Sequence, residues 1–335
     1  MKGSDLIPFH PSYDIIDATK IRTFGACPRR FFFEYILGWS KPSNHLVFGS
    51  AWHAAMEHLY THGMSDKEVS VAHQKLLEVY RPEYGPNTDE IYWPKTPTNA
   101  LLALAGYVAM WHEDLVKYKV LYTEIGGQVS IGEDALLAFK IDAILEDLRS
   151  GKIFGLEHKT ASSFYSWDRQ WLLDVQPGTY NHVLNCVFPE KASHISINGT
   201  CFGKTKRAWD DLYAGKAVST KTPPFSFMRV DCHQSRDQMA TWLWLANYYF
   251  DQIKFNMELL WESSDSDDVL MAFPHRPMAC NDYGGCPYFD FCTAWSNPLR
   301  RCDQVPIGFS QEFWNPLEEN LKAVVDGNEL KEVRK

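Results

Sequence analysis

The sequence has no apolar run long enough to span a lipid bilayer, and its first residues lack the apolar stretch of a secretory signal peptide. It also lacks internal repeats and the Gly-x-x-x-x-Gly-Lys-Ser/Thr loop that holds nucleotide phosphates in ATP-driven motors. These absences argue against a membrane protein, a secreted protein and a helicase motor. We therefore expect a cytoplasmic protein with no membrane partner.

An excess of positive charge is missing as well, since the 335 residues carry a formal net charge of -9 at pH 7. This balance argues against a protein that coats nucleic acid over its whole surface. It is compatible with a nuclease, because a metal site is itself acidic and basic contacts can be local. Hydrophobic residues make up 45% of the chain, enough to bury a large core. Without a signal peptide, the eight cysteines indicate reduced or metal-bound thiols rather than disulfides.

Residues 141–160 predict two strands joined by a turn at 149–152. Apolar and charged side chains alternate before the turn, which is typical of a half-buried strand. Glu157 and Lys159 are two residues apart and leave the same face of the second strand. If the strands pair, Asp142 reaches that face, and two carboxylates beside an ammonium group suit a hard divalent cation. The alternative for so short a pattern is an exposed hairpin with solvated charges.

Helices and a further strand are predicted around this hairpin. Residues 48–60 predict a helix on which His53 and Glu57 share a face. Gln176 and Tyr180 are one helical turn apart, and the proline that follows Gln176 predicts a cap-like position for it. Glu124 lies in a predicted strand, where we expect it to be solvated rather than part of the site.

A locally basic segment, 191–221, is a candidate for DNA contact. It contains six Lys or Arg residues with Trp209 and Tyr213 between them. A solvated loop explains this composition equally well.

The cysteines near the C-terminus form a regular series. Cys280, Cys286 and Cys292 are each separated by five residues, with two glycines and a proline between them. Such a loop can present thiolates inward, and thiolate ligands suit an iron–sulfur cluster or zinc. A fourth ligand could come from Cys27, which precedes a proline suited to a helix's first turn, or from Cys302, which is nearer in sequence.

Together these motifs resemble the RecB-like branch of the PD-(D/E)XK nuclease superfamily. They most closely resemble the iron–sulfur exonucleases related to the CRISPR-associated RecB-like nucleases and the AddB nuclease domain. The matches follow the family's order and cover residues 19–292: Cys27-Pro28-Arg29-Arg30, Gly49…His53…Glu57, Ile141-Asp142, Glu157-His158-Lys159-Thr160, Gln176…Tyr180, and cysteines 280, 286 and 292. Many relatives space the last cysteines as Cys-x2-Cys-x5-Cys. The wider first gap here leaves iron and zinc both open.

The resemblance implies an α/β fold with a restriction-endonuclease-like mixed sheet flanked by helices, helical elaborations, and an iron–sulfur staple between the N- and C-terminal parts. The divalent metal, Mg²⁺ or Mn²⁺, would be held by His53, Asp142, Glu157 and a backbone carbonyl near His158. Lys159 would be catalytic, with Gln176 and Tyr180 supporting the site or the DNA. A [4Fe–4S] cluster, or zinc as the alternative, would be held by Cys27, Cys280, Cys286 and Cys292.

We accordingly expect one nuclease domain over residues 1–335. Its parts are a helical N-terminal part at 19–120, a catalytic sheet core at 121–230 and a helical C-terminal part at 231–335 with the cysteines. The expected activity is metal-dependent exonucleolytic hydrolysis of DNA at single-stranded ends, in recombination, repair or CRISPR-type processing. Because the motor motif is missing, unwinding would need a helicase or another recombination or CRISPR partner. The alternative is a catalytically idle DNA-binding or assembly subunit with a structural cluster or zinc site.

Overall fold

A mixed β-sheet lies between two layers of helices in the computed structural model, which describes residues 2–267, 269–316 and 323–332. The helices are α1 (Gly3–Leu6), α2 (Ala18–Ala26), α3 (Pro28–Phe31), α4 (Asn44–His62), α5 (Asp66–Tyr80), α6 (Pro97–Trp111), α7 (Asp114–Lys117), α8 (Trp167–Gln170), α9 (Val175–Val187), α10 (Lys206–Tyr213), α11 (Arg236–Glu262) and α12 (Phe289–Ala294). A π-helical turn spans Phe32–Ile36, and short 3₁₀ helices span Pro11–Asp14, Pro86–Thr88, Pro277–Gly284 and Pro298–Arg300. None of the helices in the described residues is both long and apolar enough to cross a membrane.

The strands are β1 (Ile16–Asp17), β2 (Trp39–Ser40), β3 (Tyr118–Ser130), β4 (Leu136–Asp147), β5 (Ile153–Ala161), β6 (Ala192–Phe202), β7 (Phe225–Cys232), β8 (Ser310–Gln311), β9 (Ala323–Gly327) and β10 (Glu329–Glu332). The central sheet has the order β10-β9-β3-β4-β5-β6-β7, and β1 adds to it beside β4. The pairs β9–β3, β5–β6 and β1–β4 are parallel, and the other neighbours are antiparallel. The predicted mixed sheet flanked by helices is therefore confirmed.

Each face of the sheet packs against its own layer of helices. Leu145 and Leu156 belong to a buried cluster with α4, α5 and α6. Ile144 and Ile197 belong to a second cluster with α2, α9 and α11. Consecutive residues such as Ile144 and Leu145 serve opposite layers because strand side chains alternate between the two faces.

The predicted hairpin is formed by β4 and β5, with its turn where the sequence placed it. Asp147 Oδ1 accepts hydrogen bonds from the backbone N–H groups of Arg149 (2.8 Å) and Ser150 (3.2 Å). Gly151 follows with φ +67°, a conformation that glycine adopts without the steric cost of a Cβ. This turn sets the register that brings Ala143 opposite Leu156.

The C-terminal part differs from the helical segment that the sequence predicted. α11 and α12 are helical, but β8 pairs with β2, and β9 with β10 extends the central sheet beyond β3. Strands β8 and β9 depend on partners about 200 or more residues earlier in the chain. Their local sequence therefore gives little indication of strand pairing.

Candidate active site

The site lies where β4 has a gap in its strand pairing. On one edge of β4, β1 pairs with Leu137 and Ala138, and β5 pairs only from Ala143 onward. Side chains satisfy the backbone groups in this gap. Asp142 Oδ2 accepts from the backbone N–H of His158 at 2.7 Å, and the Tyr180 hydroxyl donates to the Lys140 carbonyl at 2.5 Å. The two strands thus diverge around the Asp142 carboxylate, which leaves room for polar groups beside it.

His53 reaches this carboxylate from α4. Its Nδ1 lies 3.0 Å from Asp142 Oδ1, and about 30% of the His53 side chain is exposed. Burial alone would lower the pKa of His53, but the neighbouring Asp142 carboxylate raises it to about 9. Burial likewise opposes ionisation of Asp142, yet contact with His53 holds the pKa of Asp142 well below its usual range. A metal ion bound by His53 would therefore have to displace a proton from it.

Glu157 is the second carboxylate, and three predicted residues surround it. Its Oε1 accepts from Lys159 Nζ at 2.5 Å and from Gln176 Nε2 at 3.1 Å. Gln176 Nε2 also lies 2.8 Å from the Tyr180 hydroxyl, so one turn of α9 supplies both supporting groups. Gln176 is not the cap of this helix. The cap is Asp174, whose carboxylate accepts from the backbone N–H of Gln176 at 2.9 Å and leaves the Gln176 side chain free to reach Glu157.

Glu124 corrects a sequence prediction, because its side chain is buried and not solvated. It is only 8% exposed, and its carboxylate lies 2.6 Å from Lys140 Nζ. Thr123 pairs with Ala143 and Ile125 with Ile141, so Glu124 lies opposite Asp142. Burial and the charge of Asp142 raise the pKa of Glu124 above its usual range. Three neighbouring strands therefore place Glu124, Asp142 and Glu157 in one row across the sheet, which we call the acidic row.

The acidic row fits a divalent cation. Burial and the Asp142 charge raise the pKa of Glu157, which means that its ionised form is unfavourable in this environment without a further cation. Glu157 Oε2 is buried and has no hydrogen-bond partner among the described residues. No group of three or more His, Cys, Asp or Glu side chains in the described part is already arranged as a ligand set. The donors at the centre are nevertheless carboxylate oxygens with one imidazole, the ligand types that Mg²⁺ and Mn²⁺ accept.

The His158 imidazole does not line the site. It is buried on the opposite face of β5, where Nδ1 lies 3.1 Å from Asn198 Nδ2, and burial lowers the pKa of His158 to about 3. Only the backbone of His158 can therefore act beside Glu157. Asn198 also donates to the Tyr107 hydroxyl at 2.5 Å, and this contact joins a larger buried network that the sequence did not reveal.

The four predicted cluster cysteines line one pocket. Cys27 at the start of α3 meets Cys280, Cys286 and Cys292 there, with Arg30, His275 and Arg276 also in the lining. Cys302 does not line this pocket, and its thiol donates to the Leu299 carbonyl at 3.2 Å.

The thiols of this pocket could serve as metal ligands, but burial favours their protonated form. Burial raises the pKa of the Cys286 and Cys292 thiols, to about 11 for Cys292. A bound metal would need their thiolate forms, and it would supply the positive charge that stabilises them. Chemically, the residues fit a thiolate-ligated metal or cluster.

Hydrolysis of a phosphodiester is the chemistry that an acidic row with an adjacent lysine can support. A model of the PD-(D/E)XK nuclease superfamily matches residues 16–293, and the chain belongs to this superfamily. Membership implies a nuclease, and such nucleases typically use Mg²⁺ or Mn²⁺. No curated protein matches the chain.

Among solved structures, the chain is similar to a crystal structure of a protein named SSO0001. The two sequences are 13% identical, and the match covers 78% of this chain and 88% of that one. The TM-score is 0.29, which is too low to support an argument about either fold or activity.

Proposed function

We propose that the protein is a metal-dependent deoxyribonuclease of the RecB-like branch, acting as an exonuclease on single-stranded DNA ends. The observation that supports this most directly is the acidic row with Lys159 beside it and Glu157 Oε2 buried without a partner. Asp142, Glu157 and His53 would hold Mg²⁺ or Mn²⁺, with the His158 carbonyl as a further backbone ligand. A bound cation would neutralise the charge that develops on the phosphate and make a water molecule more acidic.

Side chains of the protein would orient the water molecule, stabilise the phosphate charge and hold the metal ligands in place. Lys159, 2.5 Å from Glu157, would orient the attacking water and stabilise negative charge on the phosphate. Gln176 and Tyr180 hold Glu157 and the β4 backbone in place, which keeps the ligands in fixed geometry. The side-chain exposure of Lys159 and His53, about 25% and 30%, leaves the site open to DNA from one side.

We also propose that Cys27, Cys280, Cys286 and Cys292 hold a [4Fe–4S] cluster, with zinc as the alternative. Their common pocket joins the start of α3 to α12 and the segment before it, so the group would connect segments about 250 residues apart. A crosslink over such a long loop restricts the unfolded chain, and its main role would be structural. A helicase or other recombination partner would supply any unwinding.

End-labelled linear and closed circular single-stranded DNA test the activity. We expect Mn²⁺ or Mg²⁺ to support digestion of the linear strand, EDTA to stop it, and the circle to resist. The Asp142→Asn variant should lose cleavage, while Asp134→Asn, an exposed carboxylate on the loop before β4, should keep it. Digestion of the circle would point to an endonuclease. No cleavage by the folded, metal-supplied protein would favour the idle assembly subunit.

A further inference from the structure

A buried lysine outside the acidic row has no carboxylate partner among the described residues. Lys95 is 5% exposed, and its Nζ donates to the Thr160 hydroxyl at 3.0 Å. It lies 5.9 Å from the centroid of the Phe48 ring. Within the described residues no carboxylate forms an ion pair with it, although buried ammonium groups are normally paired.

Two further basic groups lie near Lys95. Burial lowers the pKa of Lys95, the nearby Cys201 thiol opposes this shift, and Lys204, exposed just beyond β6, adds to it. Partial burial, Lys95 and Lys204 together lower the pKa of His45, which lies in the first turn of α4 with part of its surface exposed. Helix N-termini carry partial positive charge and favour anions. We call Lys95, Lys204 and His45 the basic corner.

A buried hydroxyl next to the basic corner has no hydrogen-bond partner in the part of the chain that the structure describes. Thr200 on β6 pairs in register with Thr160 on β5, so the two side chains leave the same face. Thr200 is 1% exposed, and its Oγ1 has no hydrogen-bond partner in the described residues. A buried hydroxyl without a partner costs free energy, and a ligand or water reaching the corner would satisfy it.

Helix α4 connects the basic corner to the acidic row. Thr160 directly follows Lys159 on β5, but its side chain leaves the opposite face of the strand, where Lys95 lies 5.9 Å from the ring centroid of Phe48 on α4. His45 and His53 are eight residues apart on α4, which corresponds to about 12 Å along the helix axis. Gly49, midway between them, has no atom within 4 Å of the place a Cβ would take, so this stretch of the helix is open.

We propose that the basic corner is a second phosphate-binding subsite, which holds a backbone phosphate of the DNA strand whose end is cleaved at the acidic row. The subsite rests on the proposed nuclease function and names a second contact with its substrate. From the 12 Å separation, the bound phosphate lies within about four nucleotides of the scissile one. Its role is to position the strand and not to take part in bond breaking.

Binding and cleavage can be separated in the test. A fluorescent single-stranded oligonucleotide is titrated in EDTA with the wild type, Lys204→Gln, Lys95→Met and the control Lys67→Gln, an exposed lysine on α5. We expect Lys204→Gln and Lys95→Met each to weaken binding by about tenfold and to reduce the salt slope by about 0.7 for each lost contact. In Mn²⁺ they should raise KM by a similar factor with kcat within about twofold of the wild type, because the reacting groups are untouched.

Uncharged methylphosphonate linkages locate the contact. In the wild type, one neutral linkage within about four nucleotides of the cleaved bond should weaken binding as much as Lys204→Gln does. The same linkage should have no further effect in the variant.

Each binding result either supports or overturns the proposed phosphate subsite. Equal binding by Lys204→Gln, Lys67→Gln and the wild type would overturn the subsite, as would a Lys95→Met variant that melts earlier yet binds DNA normally. If Lys95→Met does not fold, the comparison of Lys204→Gln with Lys67→Gln and the wild type still tests the subsite, because Lys204 is exposed. A wild type that binds DNA but cleaves none would refute the nuclease function separately, because the binding comparison needs no cleavage.

Discussion

At the scale of single residues, the site is defined by three carboxylates that are buried side by side. Glu124, Asp142 and Glu157 lie on three neighbouring strands, and His53, Lys140 and Lys159 each contact one of them. The raised pKa values of Glu124 and Glu157 show that full ionisation of the row is unfavourable without another cation.

Glu124→Gln tests the contribution of the residue that the sequence did not assign to the site. Glutamine keeps the size and removes the charge, so we expect Mn²⁺ affinity and cleavage rate to fall by about tenfold, as for other groups that support metal ligands. Glu133→Gln, an exposed glutamate between β3 and β4, should change neither quantity. Equal cleavage by Glu124→Gln and the wild type at limiting Mn²⁺ would remove Glu124 from the site.

Sequence alone indicates Asp142, Glu157 and Lys159 because they lie in two strands joined by a short turn. The pairing of such strands is local, and its register follows from the turn. Glu124 is different, since its approach to Asp142 depends on the pairing of β3 and on an irregularity between Val120 and Tyr122. Nothing in the neighbouring residues encodes that register.

At the scale of elements, a buried network supports β5 from the face opposite to the acidic row. Arg229 on β7 donates to Asp114 at the start of α7, with one contact at 3.0 Å, and its guanidinium lies 3.8 Å from the centroid of the Trp111 ring. The network continues through Tyr107 and Asn198 to the His158 imidazole. Helices α6 and α7 are thus tied to the strand that carries Glu157.

Arg229→Met tests this network. The substitution leaves Asp114, 4% exposed, without its charged partner, and we expect a loss of about 3–5 kcal/mol in the free energy of unfolding. Lys254→Met breaks an exposed ion pair with Asp14 and should cost at most about 1 kcal/mol. Urea unfolding of both variants measures the difference, and similar losses would show that the Arg229 network is not a major source of stability.

At the same scale, α9 shows which features of a helix can be predicted from sequence and which cannot. The positions of Gln176 and Tyr180 on one face follow from helical periodicity, which is a local property. Sequence does not predict the cap at Asp174, because Pro177 favours the first helical position, whereas α9 begins two residues earlier at Val175. In the basic segment, Trp209 is 1% exposed and packs in the core, so it is not available to stack on bases.

At the scale of the whole molecule, segments from the N-terminal and C-terminal parts of the chain contact each other at several places. The Cys27 pocket joins α3 to residues 280–292, Trp314 Nε1 donates to Asp17 at 2.7 Å, and β9 pairs with β3. The alternation and helical periodicity of the sequence predict a mixed sheet with flanking helices. They do not predict these long-range pairings, because the partners are about 200 or more residues apart and the local sequence does not specify them.

Cys27→Ser tests the proposed cluster as a link between these ends. We expect the wild type to contain iron and acid-labile sulfide, and the variant to lose both and to unfold at a lower temperature, since ligand binding contributes to folding. Cys186→Ser, on α9 and outside the pocket, should retain the cluster. Zinc in the wild type would support the alternative metal, and a wild type with neither metal would contradict the staple.

The central claim is that the acidic row and Lys159 form a hydrolytic site, and one comparison tests it most directly. The initial rate of end-labelled DNA digestion in Mn²⁺ is measured for the wild type, Lys159→Ala and Lys152→Ala, an exposed lysine in the β4–β5 turn. We predict a loss of at least about 100-fold for Lys159→Ala, with an unchanged circular dichroism spectrum, and a normal rate for Lys152→Ala. A folded Lys159→Ala protein that digests DNA at the wild-type rate would contradict the account.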